Sequence, residues 1–200
     1  MPSLPAPQTD GRALRSERSR EALVSALVEL VGEGKLVPTA QQVAERAGVG
    51  IRTVFRHFKD MESLFSAMAD ALRADFESLL AAAPVGSFEE RAVRLARQRA
   101  EAYEFIAPYE RSTRVQLWRS EFLRQEHSRW ARKLRAGFQT AFPEIAEASS
   151  TGADIADALE MALSFSSWDR LRSEQKLSAR RSAEAMELAV RAIVQLSERR

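Results

Sequence analysis

The sequence predicts an all-α fold of about nine helices, and three observations predict it. Apolar residues recur at helical spacing along most of the chain, period-two alternation is absent, and β-branched residues are sparse. With 45% hydrophobic and 29% charged residues over 200 positions, the chain can bury a core and keep a solvated surface. Cysteine is absent, which excludes disulfides, thiolate zinc sites and thiol catalysis and fits a cytoplasmic protein. Residues 1–10 hold three prolines and no apolar run, unlike a signal peptide. No stretch approaches the roughly 20 apolar residues of a membrane span, so no membrane partner is expected.

Taken in order, residues 1–15 read as a disordered basic arm. A first helix is expected over about 16–32, with Leu23, Leu27, Leu30 and Val31 on one face and Gly32 and Gly34 at its end. Thr39 follows Pro38 and is a natural N-cap, its hydroxyl taking an orphan backbone N–H. A short helix from Thr39, a turn at Gly48 and a second short helix over about 51–57 make a helix-turn-helix. Asp60 is placed to cap a long helix over about 61–80, with Leu64, Phe65, Met68, Leu72, Phe76 and Leu79 as its stripe. Residues 81–87 break the pattern. Helices are then expected at about 88–105, 108–119 and 121–142, a loop at 143–152, and final helices at about 153–172 and 178–198. The chain thus divides into an arm (1–15), an N-terminal three-helix domain (16–60) and a larger helical domain (61–200).

The net charge is +2, and its placement says more than its size. Residues 1–60 carry nine Lys/Arg against seven Asp/Glu, and residues 61–200 carry 21 of each, so the excess is N-terminal. Within residues 11–20, Arg12, Arg15, Arg18 and Arg20 face only Glu17. Such an arm either reaches along DNA phosphates or is a solvated tail.

Inside the helix-turn-helix, Val43, Ala47, Val49 and Val54 are spaced to face inward. Ala44 is small where the second helix must cross closely. Gly48 stands where the turn calls for positive φ, which glycine adopts without steric cost. Thr39, Val43-Ala44, Ala47-Gly48-Val49, Thr53-Val54-Phe55, His57-Phe58, Glu62 and Leu64 together resemble the TetR family of transcriptional regulators, specifically over about residues 20–70. Beyond that stretch the resemblance is architectural.

The resemblance implies double-stranded DNA as partner, with the helix at about Ile51–His57 in the major groove. It makes Thr53 a phosphate or base-edge contact and His57 a phosphate contact through a ring N–H. Thr39 would set its helix N-terminus against a phosphate. By chemistry Arg52 and Arg56 are the best base readers, since guanidinium pairs bidentately with guanine. Gln41 and Gln42 suit backbone or an adenine edge. Two positions depart from the family pattern. Phe55 replaces a customary tyrosine and loses its phosphate bond, keeping a ring for a thymine methyl. Met61 replaces a customary lysine, and Lys59 is the nearest substitute.

The resemblance also implies a regulatory half with a ligand cavity, and the last two helices as the place of dimerisation. Residues 88–142 hold most of the aromatic residues, which either fill a helical core or line such a cavity; Tyr103, Tyr109, Trp118, Phe122 and Trp130 are the candidates. Leu159, Leu163, Trp168, Val190 and Ile193 are the candidates for a four-helix dimer interface. Residues 111–135 carry eight Lys/Arg against Glu121 and Glu126, either a solvated helix face or a surface for an anionic effector or nucleic acid.

An enzyme is not expected. His57 and His127 are far apart in sequence, and no metal-ligand spacing, Gly-rich phosphate loop or Gly-x-Ser-x-Gly elbow is present. No cofactor is expected. The function read from the sequence is a dimeric, DNA-binding transcriptional regulator, a ligand-responsive repressor of a pseudo-palindromic operator. The rival reading is a helical protein–protein adaptor.

Overall fold

A computed structural model describes residues 10–146 and 150–198. All of its regular structure is helical, as expected: α1 (Asp10–Gly32), α2 (Ala40–Arg46), α3 (Ile51–His57), α4 (Met61–Leu79), α5 (Phe88–Arg114), α6 (Glu121–Ala141), α7 (Pro143–Ala146), α8 (Ser150–Ala162), α9 (Phe165–Asp169) and α10 (Ala179–Glu198). A π-helical turn, Arg170–Glu174, continues α9.

Four boundaries differ from the sequence reading. α1 begins at Asp10, so the expected disordered arm is helical over 10–15; residues 1–9 lie outside the described ones. The expected break between 105 and 108 does not occur. α5 runs through Pro108, which withdraws one N–H from the ladder, because Tyr103, Ala107 and Ser112 are buried on both sides and hold the helix in line. The expected loop 143–152 contains α7 and the start of α8. The expected helix 153–172 is broken at Ser164, which turns extended and accepts a bond from the Ser167 amide at 3.1 Å, capping α9.

Two cores form. The N-terminal one joins Leu23, Leu27 and Val31 of α1, Val43 and Ala44 of α2, Val54 of α3, Phe58, and Leu64, Phe65, Met68 and Leu72 of α4. It therefore runs across the domain boundary expected at residue 60. Leu123 of α6 completes it, and Tyr109 and Phe122 pack against its edge. The larger core packs α5, α6, α8, α9 and α10 around Tyr103, Phe138, Phe142, Leu159, Leu163, Trp168, Val190 and Val194.

The two bodies are joined by more than α4. At the far end of α5, Ser112 Oγ donates to the Leu36 carbonyl at 2.6 Å, in the loop after α1. Ser120, the N-cap of α6, donates to Glu62 in the first turn of α4.

Candidate DNA-binding site and regulatory cavity

The helix-turn-helix is fixed by its own caps. Thr39 Oγ1 accepts the Gln42 N–H at 3.2 Å, and Gln42 Oε1 accepts the Thr39 N–H at 3.0 Å, a reciprocal capping box. α2 ends in a Schellman arrangement: Val49 N–H to Ala44 O at 2.9 Å and Gly48 N–H to Glu45 O at 3.2 Å. Gly48 has φ +67 there, as its position predicts. A Cβ at Gly48 would meet nothing within 4 Å, so backbone conformation and not space selects glycine. Arg46 binds Glu33 through two bonds, at 2.8 and 2.7 Å, and so ties α2 to α1. This pairing holds the Glu33 carboxyl below its usual range. Asp60 caps α4 through the Ser63 amide at 2.8 Å, which lowers its carboxyl in the same way.

With α3 anchored by Val54, its outer face presents Ile51, Arg52, Phe55 and Arg56 to solvent, with Lys59 just beyond. Phe55 is 52% exposed and belongs to no core. Arg52, Arg56 and Lys59 enter no ion pair among the described residues. Thr53 and His57 flank this face half-buried. His57 Nε2 is buried without a partner, so only its other ring nitrogen is available for the expected phosphate. Gln41 and Gln42 are already engaged: Gln41 Nε2 donates to Glu45 at 2.7 Å, and the Gln42 oxygen serves the cap.

A cavity of about 450 Å³ lies among α4, α5, α6 and the α8–α9 corner, within the range of small-molecule sites. Its apolar wall comes from α4 (Phe65, Met68, Leu72, Phe76) and α6 (Trp130, Leu134). Phe76 meets Trp130 edge-on, with centroids 5.0 Å apart. Of the expected ligand-lining aromatics, Tyr103, Tyr109 and Trp130 lie on this cavity. Trp118 does not: it sits in the α5–α6 turn and is 80% exposed. Nor does Phe122, which packs on the N-terminal core.

The expected dimer residues also need correcting. Leu159, Leu163, Trp168 and Val190 are fully buried within the chain's own core, and Ile193 packs against it. The stripe is apolar, but it faces inward. The outward apolar residues on α8 and α10 are Met161, Leu188 and Leu196.

Sequence reasoning missed the polar part of the cavity wall: Arg99, Glu110, Glu126 and His127. A signal existed for Arg99. It interrupts the apolar row Ala92, Leu95, Ala96, Ala100, Tyr103 at core-facing spacing, and a charge at such a position needs a reason. The basic run 111–135 is mostly neutralised. Arg111 pairs with Asp169, Arg114 with Glu110, Arg124 with Glu121, Arg129 with Glu126, Lys133 with Glu77 and Arg135 with Glu160. Arg119 bonds Gln116. Gln116 is neutral, so Arg119 and Arg132 are the two cations of this run without a carboxylate partner among the described residues.

Geometry and pattern define a class: a helix-turn-helix protein with an appended all-helical domain. Residues 23–68 match the family described as bacterial regulatory proteins, tetR family. A transcriptional regulator from Rhodococcus sp. Rha1 shares the fold with TM-score 0.67 and 19% identity, over 88% of this chain and 96% of that one. A protein of Mesorhizobium loti MAFF303099 assigned to the TetR-family regulators does so with TM-score 0.62 and 18% identity, over 91% and 98%. No curated protein matches the sequence. The family model thus covers the helix-turn-helix of this chain, and the solved structures extend the likeness of fold over most of its length.

Proposed function

We propose that this protein is a cytoplasmic, homodimeric repressor that binds a pseudo-palindromic operator and releases it when a small molecule fills the α4–α6 cavity. It is a binding protein and not an enzyme, and it uses no cofactor. The observation that carries this reading is the outer face of α3, where Arg52, Phe55 and Arg56 stand exposed on a rigidly capped scaffold. An arginine without a carboxylate partner is free for phosphate or guanine. A packing unit in an adaptor has no use for two such arginines beside an exposed aromatic ring.

The proposed contacts follow from placement. Arg52 and Arg56 read base edges, and Phe55 and Ile51 meet thymine methyls. Thr39, Thr53, His57 and Lys59 hold the phosphate backbone. Gln41 and Gln42 contribute only by giving up their present bonds.

The dimer forms through the outer face of α8 and α10, around Met161, Leu188 and Leu196, against a second copy of the chain. Its two-fold axis would set the recognition helices about 34–36 Å apart. The lever is α4. Its Leu64 belongs to the N-terminal core, while Phe65, Met68 and Leu72 belong to that core and also line the cavity. A ligand against this wall shifts α4, and with it α3, through the short link Phe58–Asp60. The shift is limited by the ligand's differential affinity for the two geometries.

The test is selection of binding sites from genomic fragments, followed by gel shift of the recovered DNA. Salt-dependent binding of a two-fold-symmetric site supports the reading, and a chain that recovers no site is the adaptor. Leu188→Glu is expected to give a folded monomer with weakened operator binding. A dimer unchanged by light scattering would move the interface elsewhere.

A further inference from the structure

The cavity wall holds one buried cation, Arg99, that no carboxylate neutralises among the described residues. Arg99, on α5, is only 4% exposed and lines the cavity. Its Nη1 donates to the Leu163 carbonyl at 3.1 Å and its Nη2 to the Leu134 carbonyl at 2.7 Å. Its Nε–H is buried and meets no acceptor. No carboxylate pairs with it among the described residues.

The other charges of the wall are accounted for. Glu110 Oε1 lies 2.7 Å from Arg114 Nε and 3.1 Å from His127 Nδ1. Glu126 pairs with Arg129 at 2.9 Å and approaches Arg73 at 3.6 Å. Glu160 pairs with Arg135 at 3.3 Å, and Arg132 is exposed. The wall therefore carries a buried positive charge at one place, set against the apolar surface of Phe65, Met68, Leu72, Phe76 and Trp130. A buried ion without a counter-ion is strongly disfavoured, and an anion that arrived there would relieve it.

We propose that the cavity takes a small monocarboxylate with an apolar body, its carboxylate on Arg99 and its body along the α4–α6 wall. The Tyr103 hydroxyl, beside Arg99, donates to the same Leu163 carbonyl at 2.9 Å. Burial raises the Tyr103 phenol above its ordinary range, so it stays a neutral donor and does not compete as an anion. The plain alternative is that Arg99 only staples the Leu163 carbonyl at the end of α8, where a cation is favoured by the helix dipole, to the Leu134 carbonyl of α6. That role uses two N–H groups and leaves Nε idle. Glu126 Oε2, which accepts no hydrogen bond, is the rival anchor and would prefer an amine.

This inference rests on reading the cavity as the effector site, and the experiment separates the two. Decanoate, decanol and decylamine share one body and differ in head group. Their affinities are measured by calorimetry on the full chain and on Arg99→Gln, with folding checked by circular dichroism. Decanoate is expected to bind at least about tenfold tighter than decanol, as a charge-assisted bond predicts. That preference should vanish in Arg99→Gln, while decanol affinity is kept. Equal binding of decanoate and decanol, preference for decylamine, or no binding of any of the three overturns the proposal. So does a carboxylate preference that survives Arg99→Gln. The three-ligand comparison on the unaltered chain decides the matter even where the variant fails to fold. Release of the selected DNA is followed in parallel. Carboxylate binding without release sustains the ligand class and defeats the effector reading; release by decanol alone does the reverse.

Discussion

Between Arg52 and Lys59 three cations stand exposed without a carboxylate partner among the described residues, whereas between Arg111 and Arg135 almost every cation is tied to a neighbour. The two stretches look alike as sequence, and the second has the larger number of basic residues. What separates them is where the acids fall. Glu77, Asp169 and Glu160 come to the second stretch from α4, the last residue of α9, and α8, which only folding brings near. A cation already paired has little to offer a phosphate, and an unpaired one on a rigid helix has much.

This contrast can be broken at either end, and the largest effect lies on α3. Arg52→Ala should cost about 1–3 kcal/mol at one base position and relax the preference there, read by site selection on the variant. An unchanged selection removes Arg52 as a reader. Gly48→Ala forces a side chain into the left-handed region and should destabilise the protein by about 1–2 kcal/mol in urea titrations. Since its Cβ meets nothing, the cost is conformational alone, and unaltered stability would show that the turn can relax. Lys59→Ala should weaken all sequences alike and reduce the salt slope of binding by about 1. A sequence-dependent loss would make Lys59 a reader instead. The smallest effect is expected from Arg124→Ala, whose partner Glu121 is also exposed: stability within about 0.5 kcal/mol and an unchanged salt slope. A reduced slope would turn the 111–135 run into a second nucleic-acid surface.

Local structure was legible where a local rule governs it. Thr39, Gly48 and Asp60 take the cap and turn roles their residue types prescribe, and all depend on neighbours within four positions. Pro108 misled because the local rule lost: burial on both sides kept α5 continuous. Trp118 and Phe122 misled for a different reason. Aromatic composition names candidates for a cavity, but a turn sends one to solvent and a domain contact takes the other. The dimer candidates failed similarly, since an apolar stripe does not say whether its partner is the same chain or another.

By itself the sequence determined the helical class and the helix-turn-helix with its caps and its likeness to one family over residues 23–68, because spacing and backbone preference act over a few residues. Tertiary structure alone decided which basic residues are free, which apolar stripes face inward, and that Arg99 is buried beside a cavity without a counter-ion. Those outcomes depend on groups that meet across tens of positions, such as Arg99 with Leu163 and Leu134, and nothing in local spacing encodes such meetings.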